Sequence, residues 1–216
     1  MPNAHVFHTI EKCGVVPVIA LDSVEAALPL ADALLEGGLP LVEITFRTSA
    51  AAEAIEILAA QRPELLVGAG TIVTTQQVKV AKASNAKFGV APGLNPDIVE
   101  RMLWAELPFM PGVCSPSDIE RALSLNCTVV KFFPAEASGG VEMVKALAAP
   151  YGHLGLRFMP TGGVNATNLA SYLSIGAVMA VGGTWIAKKE DLAEGRWAEI
   201  RDRCKKAVEI VAASRG

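Results

Sequence analysis

Eight short apolar runs punctuate the chain: VVPVIA, PLVEITF, LLVGAG, KFGVAP, PFMPGV, CTVVKFF, RFMPTGG and VMAVGG. They recur at intervals of roughly twenty to thirty residues, enough for a strand, a helix and two short loops. Strands separated by helices pair in parallel, and parallel strands covered by helices are buried on both faces. The runs are accordingly apolar throughout instead of alternating with polar residues. Eight such units in 216 residues predict an α/β fold closed as a (β/α)8 TIM barrel, near the small end of its size range.

The intervening segments carry helix-start and helix-stop chemistry. NPDIVERMLWAEL places Asn95 as an N-cap with Pro96 at the first helical position, and SPSDIERALSLN repeats the device with Ser115 and Pro116. Asp22 or Ser23 is expected to cap the helix that stops at Gly37 and Gly38, and Ser49, Thr74 and Asn165 are expected to cap others. Residues 3 to 12 read as an extra N-terminal helix before the first strand, and RWAEIRDRCKKAVEIVAAS reads as a terminal helix with one apolar face. No linker or shift in composition divides the chain, so residues 1–216 are expected to form one barrel domain.

Composition narrows the partners. Interspersed charges give a formal net charge of −3 and leave no basic stripe for nucleic acid or membrane surface, so a small molecule is the expected partner. From Phe158 to Ala187 no residue is charged, but PTGG, GVNATN and VGGT within that stretch break an apolar helix and exclude a membrane span. The four cysteines, Cys13, Cys114, Cys127 and Cys204, form no CxxC pair, and the N-terminus lacks the pattern of a secretory signal. Buried reduced thiols in the cytoplasm are expected.

In a barrel of this type the chemistry sits at the C-terminal ends of the strands. Few polar residues fall late in their runs. Lys87 and Arg157 precede theirs and belong to the opposite face. Late in the second run, Glu43, Thr45 and Arg47 share parity and point to one side while the strand stays extended. Arg47 would then stand on the order of 13 Å beyond Glu43 at ~3.3 Å per residue, unless the chain turns first. Late in the sixth run, Lys131 shares parity with Val129 and Phe133. A lysine and a glutamate facing one lumen are either a structural ion pair or a catalytic one. The seventh and eighth runs end in Gly162–Gly163 and Gly182–Gly183, read as two glycine turns where barrels of this class hold phosphate on backbone N–H groups.

Other candidates carry less. GAGTIV opens like a dinucleotide fingerprint, but its sixth position is Val73 and no acid ends the next run. His5, His8 and His153 have no neighbouring carboxylates or cysteines in a ligand spacing, no GxSxG elbow is present, and Lys79, Lys82 and Lys188 lie in polar settings. Chemistry without cofactor or metal is therefore expected. Apolar surroundings disfavour an ammonium, so Lys131 is suited to attack a ketone as a free amine, with Glu43 moving the protons. Arg47 is suited to a substrate carboxylate and the glycine turns to a phosphate. These residues read as a Schiff-base lyase for a phosphorylated keto acid.

The ordered set VVPVIALDS, EITFRT, GAGT, APG, PGV, KFFPAE, PTGGV and GGTW resembles, along nearly the whole chain, the 2-keto-3-deoxy-6-phosphogluconate (KDPG) aldolase family of class I pyruvate aldolases. The resemblance implies reversible cleavage of KDPG to pyruvate and glyceraldehyde 3-phosphate, the aldolase step of the Entner–Doudoroff pathway. It also implies cleavage of 4-hydroxy-2-oxoglutarate to pyruvate and glyoxylate, and a homotrimer. By the same resemblance Lys131 forms the Schiff base and Glu43 is the general acid and base. Arg47 binds the pyruvyl carboxylate; Thr71, Pro92, Phe133 and Thr161 line the pocket. Gly162, Gly163, Gly182, Gly183 and Thr184 take the phosphate, Thr184 standing where many relatives carry serine. Three alternatives stay open: cleavage of the galactonate epimer, a sugar-phosphate epimerase or isomerase that forms no Schiff base, and a non-catalytic phosphate sensor.

Overall fold

The computed structural model describes residues 4–215. Its strands are β1 (Val15–Ile19), β2 (Leu41–Thr45), β3 (Leu66–Gly70), β4 (Phe88–Val90), β5 (Phe109–Met110), β6 (Gly112–Val113), β7 (Val129–Phe132), β8 (Arg157–Pro160) and β9 (Val181–Gly183). All pair in parallel, in the orders β5-β4-β3-β2-β1-β9 and β6-β7-β8. The fifth apolar run supplies both β5 and β6, because Pro111 between them has no N–H to give the ladder. Its carbonyl still accepts from Lys131 N–H at 2.9 Å. Isolated bridges Phe158↔Val178 and Thr161↔Gly182 join β8 to β9 and close the ring. The fold is the expected eight-unit α/β barrel.

The helices are α1 (Ala4–Cys13), α2 (Ala27–Glu36), α3 (Ala51–Gln61), α4 (Thr75–Ala83), α5 (Pro96–Trp104), α6 (Pro116–Ser124), α7 (Gly140–Tyr151), α8 (Leu169–Leu173), α9 (Lys189–Ala193) and α10 (Trp197–Arg215). Thr74, Asn95 and Ser115 cap α4, α5 and α6 through their side chains, as the sequence predicts. The other expected caps are not formed. Helix α2 starts only at Ala27, leaving Asp22 to pair with Lys189 and Ser23 to donate to Glu25. Helix α3 starts behind Ala50 without a side-chain cap from Ser49, and Asn165 caps the turn at Thr167 ahead of α8. In each case the first turn is tight and irregular, so a capping residue read from the sequence lies too far upstream.

Strand parity divides the core in two. Outward residues such as Val42, Ile44, Val130, Phe132 and Phe158 pack against the helices. Lumen residues Val16, Leu41, Phe88, Val90, Val129 and Met159 form a separate cluster, and Val6, Phe7 and Ile10 of α1 pack into it from below. Burying each such aliphatic or aromatic side chain contributes about 1.5–3 kcal/mol. The extra helix is thus a plug for the base of the barrel; residue 3, its expected first residue, lies outside the described residues. Arg157, at the start of β8, pairs with Glu11 of α1 at 2.5 Å, while Lys87 is exposed and bonds Asn85. Both lie at the base, as their positions ahead of the runs imply. Helix α10 lays Ile200, Cys204, Ala207 and Val211 against the barrel.

Candidate active site

Above the apolar lower layer, the lumen turns polar at the C-terminal ends of the strands. Glu43 on β2 is fully buried and Lys131 on β7 is 5% exposed. Lys131 Nζ stands 3.7 Å from Glu43 Oε1 and 5.3 Å from the centre of the Phe133 ring. Neither carboxylate oxygen of Glu43 has a hydrogen-bond partner among the described residues. A buried carboxylate without hydrogen bonds is costly to hold in place, and replacing a buried ion pair by apolar residues is often neutral or stabilising by ~1–4 kcal/mol. Stability therefore does not account for the pair.

Two features missed by sequence reasoning position Glu43. The register sets Thr45 opposite Gly70, and a Cβ on Gly70 would overlap Glu43 Oε1. The glycine of GAGT thus makes room for the carboxylate. Thr45 Oγ1 donates to Ile19 O at 3.0 Å and accepts from Arg47 Nε at 3.1 Å. The chain turns at Phe46, so Arg47 is not carried 13 Å up an extended strand: it folds back over Thr45 at the exposed rim. Among the described residues its two Nη groups have no hydrogen-bond or ion-pair partner. Glycine and threonine within a strand carry no signal of this kind until the register is known.

Thr71 follows β3 with φ of 58°, a left-handed conformation that costs a β-branched residue on the order of 1–3 kcal/mol. Pro92 reaches the lysine's neighbour because Gly112, paired with Lys131, has no Cβ to keep the Pro92 carbonyl away. Thr161 is buried at the end of β8, bridged to Gly182. Gly162 and Gly163 form the expected turn, with φ of 99° and 84°. The second glycine pair departs from expectation: Gly182 and Gly183 are extended residues of β9. Their missing Cβ atoms leave space for Thr161 and for the Trp185 ring, and the chain turns only at the exposed Thr184.

Among the described residues no group of three or more His, Cys, Asp or Glu side chains could hold a metal. A cleft of ≈ 550 Å³ lies at the opposite end, between α1 and the loops leading into β3, β4 and β5. Its charged groups, among them Lys82, Lys87 and Glu106, are exposed and converge on no buried polar atom. The buried Lys131–Glu43 pair lies toward the other mouth.

A parallel barrel that gathers a buried lysine and a buried carboxylate at its C-terminal mouth has the frame of an α/β-barrel enzyme. A family model described as KDPG and KHG aldolase matches residues 6–203, and the chain belongs to that family. The 2-dehydro-3-deoxy-phosphogluconate aldolase of Haemophilus influenzae is 46% identical over 206 residues, covering 95% of this chain and 96% of that one. The KHG/KDPG aldolase of Escherichia coli is 36% identical, covering 90% and 91%. Among solved structures, the KDPG aldolase of Legionella pneumophila, with pyruvate captured at low pH as a covalent carbinolamine intermediate, superposes with a TM-score of 0.89. It is 37% identical, over 96% of this chain and 98% of that one.

Proposed function

We propose that the protein is a Schiff-base aldolase that reversibly cleaves KDPG to pyruvate and glyceraldehyde 3-phosphate, and that also cleaves 4-hydroxy-2-oxoglutarate to pyruvate and glyoxylate. The observation that carries the mechanism is the Glu43 carboxylate, without a hydrogen bond among the described residues and 3.7 Å from the buried Lys131 Nζ. Lys131 Nζ attacks the C2 ketone, and Glu43 shuttles the proton that lets the carbinolamine lose water as the iminium forms. The iminium accepts the electron pair of the C3–C4 bond while Glu43 takes the proton of the C4 hydroxyl, releasing the aldehyde. The remaining enamine is protonated at C3, and water hydrolyses the pyruvyl iminium to return the free amine.

Arg47 holds the substrate carboxylate with its free Nη fork, and Thr71, Pro92, Phe133 and Thr161 wall the pyruvyl part. The N–H groups around Gly162, Gly163, Gly182, Gly183 and Thr184 hold the phosphate. No metal or organic cofactor takes part. The whole chain is one barrel domain and works as a homotrimer in the cytoplasm; the free state of all four cysteines supports that compartment. Among the described residues no helix is long and apolar enough to cross a membrane.

Borohydride added with pyruvate should inactivate the enzyme and leave a reduced pyruvyl group on the peptide carrying Lys131. An unmodified Lys131 under those conditions would overturn the mechanism and return the epimerase reading to consideration.

A further inference from the structure

One acid of KFFPAE has no part in the chemistry above. Glu136 begins a 3-10 turn five residues beyond Lys131, and its carboxylate accepts a hydrogen bond from the hydroxyl of Tyr172 on α8. Tyr172 is fully buried, so its hydroxyl requires a partner. The stem of Glu136 lies against Gly163, where a Cβ would come within 2.5 Å of Glu136 Cγ. Its N–H donates to Gly162 O at 3.0 Å. Glu136 therefore touches the glycine turn through backbone and stem, and ties it through its carboxylate to the helix that follows.

The carbonyls of that turn are all held. Thr161 O accepts from Ala135 N–H at 2.8 Å, Gly162 O from Glu136 N–H, and Gly163 O from the side-chain amides of Asn165 and Asn168 at 3.2 and 3.3 Å. In a planar trans peptide the N–H points opposite to the carbonyl it follows. Anchoring three successive carbonyls thus aims the N–H groups of Gly162, Gly163 and Val164 the other way. Among the described residues no protein group accepts from any of the three.

We propose that Glu136 is a positioning residue for the phosphate end of the substrate: tied to Tyr172, it fixes the direction of the N–H groups of the Gly162–Gly163 turn. The inference rests on the assignment of the phosphate to this turn, and two substrates separate the two claims. Cleavage of KDPG and of phosphate-free 4-hydroxy-2-oxoglutarate would be measured for the wild type, Glu136→Ala, Glu136→Gln and Tyr172→Phe. Glu136→Ala and Tyr172→Phe should raise KM for KDPG about tenfold, the worth of one charge-assisted hydrogen bond, with kcat held within about twofold. Phosphate-free cleavage should not change. Glu136→Gln keeps an oxygen for Tyr172 and should stay near the wild type. Equal losses on both substrates, or an unchanged KM for KDPG, would overturn the proposal. Inorganic phosphate should compete with KDPG on the wild type; lack of competition would remove the phosphate assignment itself, whatever the variants do.

Discussion

Glu43 is the residue whose environment is hardest to explain by folding and easiest to explain by chemistry. Its oxygens are buried without hydrogen bonds among the described residues, and Oε1 lies 3.7 Å from the Lys131 nitrogen. Replacement by glutamine keeps the shape and removes the carboxylate proposed above to shuttle the protons. Glu43→Gln should lower kcat by roughly 10²–10⁴-fold while the thermal melting midpoint stays within a few degrees of the wild type. A loss of stability with near-normal turnover would make the pair structural. Both members of this pair were legible in the sequence, since a charge inside an apolar run stands out against its neighbours. Thr45, Gly70 and the left-handed Thr71 were not legible as supports: their roles depend on which residue of the next strand each one faces. The thiols show a similar contrast. Burial pushes Cys204 up to about 12 and Cys127 up to about 11, while Cys13, Cys114 and Cys127 remain half-buried instead of fully enclosed.

At the scale of elements, register does what composition cannot. Because β3 pairs with β2 with Gly70 beside Thr45, a methyl group at position 70 would overlap the Glu43 carboxylate and force it to move. Gly70→Ala should therefore reduce kcat at least tenfold in a protein whose circular dichroism spectrum is unchanged. The loop after β9 is braced from outside the barrel. Arg203 donates to Trp185 O and Ile186 O and pairs with the buried Asp191 at 2.6 Å, with Arg196 at 3.1 Å on the other oxygen. The Arg203 hydrogen bond, with further help from the Lys188 N–H and both guanidinium charges, holds the Asp191 carboxyl below its usual range. A lowered folded value means that the stability is present above about pH 4 and is lost as pH falls through the folded value. Asp191→Asn should cost about 1–3 kcal/mol in urea unfolding at pH 7, and the gap from the wild type should narrow below about pH 4. The capping chemistry of α4, α5 and α6 was readable because Pro or a capping-box partner fixed the frame. The glycines of β9 were misread as a turn because paired glycines mark both a bend and a place where a neighbouring side chain must fit.

At the scale of the molecule, the barrel followed from the spacing of eight apolar runs, since strands buried on both faces leave few other ways to close. The interruption at Pro111, the narrow β8–β9 seam and the tie from Arg215 to the carbonyls of Glu11 and Met179 depend on contacts between distant segments, and no local pattern announces them. The plug formed by α1 has a kinetic consequence. With Val6, Phe7 and Ile10 packed into the base, the lumen is a well stoppered from below, and Lys131, level with Met159 on β8, sits deeper in it than the Gly162–Gly163 turn that follows that strand. On the mechanism proposed above, the fragment bonded to the amine leaves last and the fragment held at the turn leaves first. In the cleavage direction the aldehyde phosphate should depart before pyruvate, so pyruvate should inhibit competitively against KDPG and glyceraldehyde 3-phosphate should inhibit non-competitively. Product-inhibition plots of the opposite form would mean that the two fragments do not have to queue.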